Sequence, residues 1–112
     1  MNFVIDFFKT PGKQRLNIRF RNIQQLTSKE IGTLRQSIDE LVQTEFEIIY
    51  FDTRDVVNAD LSGINEIIHT NYVLQQAGKQ LVFIYRQNSA VAKWVHTTCL
   101  DKFINTALLP SN

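Results

Sequence analysis

Asp52, Asp55 and Asp60 fall close together, just after an apolar run and just before an amphipathic one. Three carboxylates so placed could supply the oxygen ligands that Mg²⁺ prefers, at the carboxyl end of a strand, where open α/β sheets bind ligands. The simpler account is local: acidic residues ahead of a helix cap its free N–H groups and meet the positive end of its dipole. His96 precedes Cys99 by three residues, one helical turn, but His69 is the only other histidine and Cys99 the only cysteine. A zinc site needs three or four protein ligands, so a solvated histidine and a small apolar thiol are expected, with no metal and no cofactor. The four glycines, Gly12, Gly32, Gly63 and Gly78, are isolated, and neither a phosphate-cradling loop nor a G-x-S-x-G nucleophile elbow can be written. No catalytic residues are expected and the chain reads as a non-enzyme.

Charge narrows the partners. Lys plus Arg number 12 against 11 Asp plus Glu, a formal charge of +1, far from the basic balance of nucleic-acid binders. Lys13, Arg15, Arg19 and Arg21 do form a basic stripe on one face of an alternating run, but a solvated sheet face commonly looks the same. A lone cysteine excludes an internal disulfide and suits a reducing compartment, so a cytoplasmic location is expected. No run approaches the ~18 apolar residues of a membrane span, and the first residues lack a basic leader; no direct membrane insertion is expected.

The elements that must position these groups follow from periodicity. Phe3 to Phe8 and the alternating run Leu16 to Phe20 flank Thr10-Pro11-Gly12-Lys13, a hairpin pattern. Thr27-Ser28-Lys29-Glu30 has capping-box spacing, and Ile31, Leu34, Ile38, Leu41 and Val42 follow at helical spacing, which predicts a helix. Phe46 to Phe51 reads as a central strand. Asp60-Leu61-Ser62-Gly63 opens a second helix, with Ile64, Ile67, Ile68, Asn71, Leu74 and Gln75 inward and Gly78 as its stop; the opposite side would present Asn65, Glu66, His69, Thr70 and Val73. Leu81 to Tyr85 is a buried strand, and Asn88 or Ser89 can cap a third helix with Val91, Trp94, Val95, Thr98 and Cys99 inward. The run Phe103 to Ala107 is too short to assign. With 112 residues, 44% hydrophobic and 21% charged, the chain is expected to form one α/β domain over residues 1–112, a mixed β-sheet with an N-terminal hairpin and helices packed against it.

The segments Glu47 to Asp52, Asn58 to Ile64, Gly78 to Ile84 and Cys99-Leu100-Asp101-Lys102-Phe103 together resemble the STAS family, which includes anti-sigma factor antagonists and the cytoplasmic domains of sulfate transporters. The shared pattern is an apolar strand ending in Asp, a D-S-S-G-like loop opening a helix, a glycine before the next strand and a G-L-x-K-like turn, matched over about residues 14 to 107. The resemblance implies a protein-interaction module, an anti-sigma factor antagonist-like adaptor that docks a GHKL-type kinase or anti-sigma protein. In the family, phosphorylation of the serine after the loop aspartate releases the partner. Leu61 stands at that position and cannot accept phosphate; Ser62 matches the second serine, which is usually not the switch, so it is not expected to be a stoichiometric phosphosite. The docking surface implied is Asn58, Asp60, Leu61, Ser62, Gly63, Glu66, His69 and Val73. Leu61 is either tucked under the helix start in line with Ile64 and Ile68 or an exposed apolar anchor. Two further readings are a STAS subunit that stabilises the ATPase of an ABC transport complex, and a small-molecule sensor built on the acidic loop.

Overall fold

The computed structural model describes residues 4–10, 13–19, 25–26, 40 and 42–110. The hairpin forms as its alternation requires: β1 (Val4–Thr10) and β2 (Lys13–Arg19) are antiparallel, with Thr10 opposite Lys13. Of the predicted capping-box helix only Glu40 and Val42 are among the described residues. A short β3 (Gln25–Leu26) pairs in parallel with β5 (Asn58–Ala59).

The remaining strands are β4 (Ile48–Asp52), β6 (Gln80–Arg86) and β7 (Asn105–Leu109). They complete a five-stranded sheet in the order β1-β2-β4-β6-β7, parallel from β2 onward. The predicted central strand is thus shifted to Ile48–Asp52, and the run left unassigned after Phe103 becomes an edge strand.

Helix α1 (Leu61–Gln76) links β4 to β6 and α2 (Ala90–Thr98) links β6 to β7, a short 3₁₀ turn at Leu100–Lys102 completing the second link. Because the parallel strands advance in one direction across the sheet and such crossovers share one hand, their helices are laid on the same face. The core sits there. Leu16 and Ile18 of β2, Ile49 and Phe51 of β4, and Leu81, Phe83 and Tyr85 of β6 meet Ile64, Ile67 and Leu74 of α1 and Val91 and Val95 of α2. Alternation sends Arg15, Asn17, Tyr50, Val82 and Ile84 to the other face, where all are half-buried.

Helix ends carry the chemistry their residues predict. Gly78 sits at φ +77° after the last turn of α1, with its N–H on the Gln75 carbonyl (3.0 Å) and the Lys79 N–H on the Leu74 carbonyl (2.9 Å), a Schellman closure. Ser89 rather than Asn88 caps α2, its Oγ accepting from the Ala92 N–H at 3.0 Å. Cys99 is not on the inner face of that helix. It is the exposed residue that ends it, at φ 55°, because the backbone must leave the helical region there to enter the 3₁₀ turn. No helix among the described residues is long and apolar enough to cross a membrane.

Phe51 and Phe83 are register partners at the centre of this core and both are fully buried. Replacing Phe83 by Ala is expected to lower the unfolding free energy by about 3–5 kcal/mol, read from urea denaturation followed by circular dichroism; a loss under about 1 kcal/mol would mean that the core is centred elsewhere.

Candidate docking surface

The three aspartates do not converge, because each has its own work. Asp52, only 1% exposed, receives the Arg54 backbone N–H at 3.1 Å and the Arg54 guanidinium at 2.6 and 2.9 Å, so a charge buried by the strand end is neutralised two residues along. Asp55 forms a 2.8 Å ion pair with Arg19, which takes part of the basic stripe with it. Thr53 closes the strand end: its N–H and its hydroxyl both donate to the Ile84 carbonyl, at 2.9 and 2.8 Å. Among the described residues no three His, Cys, Asp or Glu side chains gather where they could hold a metal ion.

Asp60 is the cap of α1. Its Oδ1 accepts from the Gly63 N–H at 2.9 Å and from the Ser62 hydroxyl at 2.6 Å. These bonds, the Ser62 hydroxyl first and the Gly63 amide second, hold the carboxyl below its ordinary value of 3.8 by stabilising the charged form. The loop leading into it is fixed from below: the Trp94 indole N–H of α2 donates to the Ala59 carbonyl at 2.8 Å. Helix α2 therefore sets the height of the loop that starts α1.

The cap turns Leu61 outward. Leu61 is 47% exposed, so it does not continue the buried line of Ile64 and Ile67. Asn58, Ser62, Asn65 and His69 are exposed and Glu66 is half-buried, while Gly63 lies buried beneath the turn. Two residues assigned to the outer face belong elsewhere. Thr70 is buried, and Val73 is half-buried against the core, because the axis of α1 is rotated so that the buried arc centres on Ile67, Thr70 and Leu74. Gln75, taken as inward, is exposed.

That rotation reveals a residue the sequence pattern did not single out. Tyr72 is 54% exposed and, at eleven residues from Leu61, shares a line with Leu61, Asn65 and Ile68. Through its sixteen residues α1 carries one Asp, Glu, Lys or Arg, namely Glu66, so its solvent side is a nearly uncharged stripe with exposed leucine and tyrosine. Depletion of charge and enrichment in aromatic residues distinguish the centres of protein interfaces from ordinary surface.

Among solved structures, the anti-sigma factor antagonist SpoIIAA in its unphosphorylated form is similar to this chain, with a TM-score of 0.69 over 97% of this chain and 89% of that one. The fold is the STAS fold. Sequence identity in that comparison is 13%, and neither a family model nor a curated protein matches the sequence. Within the STAS fold the Asp60 loop and α1 occupy the region that the sequence motifs singled out, and the hairpin, the parallel strands and the two helices correspond to the expected elements.

Replacing Asp60 by Ala is expected to cost about 1 kcal/mol at neutral pH through loss of the cap. Since the native carboxyl is held below 3.8, the carboxylate's share of the cap is fully present above that value and is lost as pH falls through the lower native one. Urea titrations of both forms should therefore differ from pH 5 to 8, and the difference should shrink as pH falls through the lowered native value; a difference that persists undiminished in acid would show that the carboxylate charge has no part in the cap.

Proposed function

We propose that this chain is a non-enzymatic, cytoplasmic adaptor of the anti-sigma factor antagonist type, which docks a regulatory kinase or anti-sigma protein through the start and outer face of α1. The observation that carries the reading is the cap itself. Asp60, Ser62 and Gly63 tie one another down, and Leu61 is left exposed between them at the head of an almost charge-free stripe ending at Tyr72. An apolar side chain held out by a rigid turn loses little freedom on binding, which is what an anchor residue needs. The surface comprises Asn58, Asp60, Leu61, Ser62, Asn65, His69 and Tyr72, with Gly63 as its buried support and Glu66 and Val73 at its margin.

The same geometry argues against a phosphoserine switch. Leu61 has no hydroxyl, and the Ser62 oxygen lies 2.6 Å from the Asp60 carboxylate to which it donates. A phosphate there would bring roughly −1.5 to −2 charges against that carboxylate and sever the bond that orders the turn. Regulation by supply of the partner replaces regulation by modification in this reading.

Affinity capture from the native lysate tests the proposal. A GHKL-type kinase or anti-sigma protein should be retained, and Leu61→Asp or Tyr72→Asp should weaken its binding at least about tenfold, or about 1.4 kcal/mol. Stability should move by no more than about 0.5 kcal/mol. Retention of a transporter ATPase instead, or binding abolished by charge reversal at Arg19 but indifferent to Leu61 and Tyr72, would sink this assignment. Intact-mass measurement after incubation with the captured kinase should show no stoichiometric phosphate on Ser62.

A further inference from the structure

Among the described residues, large apolar side chains also face solvent away from the α1 surface. Phe103 and Leu108, 65% and 53% exposed, lie just before and within β7. Among the described residues β7 has a strand neighbour on one side only, β6, so the outward half of its backbone donors and acceptors is a template for a further strand. Among the described residues the two end strands of the sheet differ in sequence. Edge strand β1, Val4–Thr10, carries Asp6 and Lys9 in its sequence, whereas β7 reads Asn-Thr-Ala-Leu-Leu, with no charge, no proline and no glycine before Pro110. Edge strands that must stay solitary are blunted by charges, prolines or bulges. This one is not.

We propose that β7 is a homodimerisation edge, to which a second copy of this chain adds its own β7 antiparallel about a two-fold axis at Ala107. The sequence of the strand favours that occupant and that register. Centring the axis on Ala107 pairs all five residues of the strand: Thr106 faces Leu108 of the second copy, Asn105 faces Leu109, and Ala107 meets its own image. A two-fold axis sets a residue against its own image, where like charges would repel; Ala107 is uncharged and exposed, and no residue of the strand carries a charge. On the helix side of the sheet each Leu108 then covers the half-buried Thr106 opposite, removing apolar surface that the monomer leaves wet. Pro110, which lacks an N–H, ends the ladder at either side. A five-residue ribbon with one flanking leucine per copy is small for an interface, so the dimer is a weak, concentration-dependent one. The proposal is independent of the docking surface on α1, which stays open on both copies.

Sedimentation equilibrium over a range of concentrations tests the association. The apparent mass should rise from 13.0 kDa toward twice that value, and Ala107→Lys, which sets two like charges face to face, should weaken dimerisation at least about tenfold, while Tyr72→Asp leaves it unchanged. Circular dichroism confirms that each variant is folded, and Leu108→Lys stands in for Ala107→Lys if that variant is not. Register is tested by cross-linking in a Cys99→Ser background: directly opposed antiparallel residues sit ~4.5–5.5 Å apart at Cα, within disulfide reach. Ala107→Cys should therefore oxidise to a covalent dimer, and Asn65→Cys on α1 should not. A monomer at every concentration, a dimer indifferent to the lysine substitutions, or cross-linking at Asn65 with none at Ala107 would each overturn the proposal. None of these outcomes depends on whether a kinase or anti-sigma protein binds.

Discussion

Everything at the candidate docking surface depends on the parallel, one-directional order of β2, β4, β6 and β7. Parallel strands start their crossovers at the same end of the sheet, so the turns that follow β4 and β6 are brought together although β4 and the Ser89 turn are far apart in sequence. The Thr53 hydrogen bonds to the Ile84 carbonyl lock those two strand ends side by side, and the Trp94 bond to Ala59 carries the lock one step further, into the loop that presents Asp60. The cap is therefore rigid because the sheet end beneath it is rigid. It is polar for the same reason: a strand that ends abruptly must satisfy its last carbonyls and any carboxylate buried there, as Arg54 does for Asp52.

Much of this was legible in the chain. Alternation and helical spacing gave the hairpin, the central strands and helices packed against the sheet, though not the single face they share, and capping chemistry placed the start of α1 at Asp60, its end at Gly78 and the start of α2 beside Ser89. What was not legible depended on rotation and termination. Spacing of three and seven put Leu61 in line with Ile64 and Ile68, but that pattern cannot tell that the first residue of the helix stays exposed, and an error of a fraction of a turn about the helix axis exchanges Val73 for Tyr72 on the exposed side. Cys99 fits the inner line of α2 by spacing alone; only the left-handed backbone at that residue takes it out of the helix. The strand β7 was missed because an edge strand half open to solvent shows little alternation over five residues.

The acidic loop illustrates how composition overstates chemistry. Three aspartates near a strand end suggest a cation, yet ion pairs with Arg54 and Arg19 and a helix cap account for all three. The basic stripe is reduced in the same way, since Arg19 is bound to Asp55. With these charges paired internally, the outer side of α1 is left as a nearly uncharged surface, and recognition of the proposed partner there would rest on shape and apolar contact more than on long-range attraction.

The bond between Trp94 and Ala59 has an optical consequence. Trp94 is the only tryptophan in the chain, it is half-buried, and its indole N–H is held by the backbone carbonyl immediately before Asp60. Indole emission responds to the polarity and hydrogen bonding around that N–H, so the whole tryptophan signal of the protein originates beside the loop that opens α1. Any movement of that loop, whatever its cause, is written into the intrinsic fluorescence without a label.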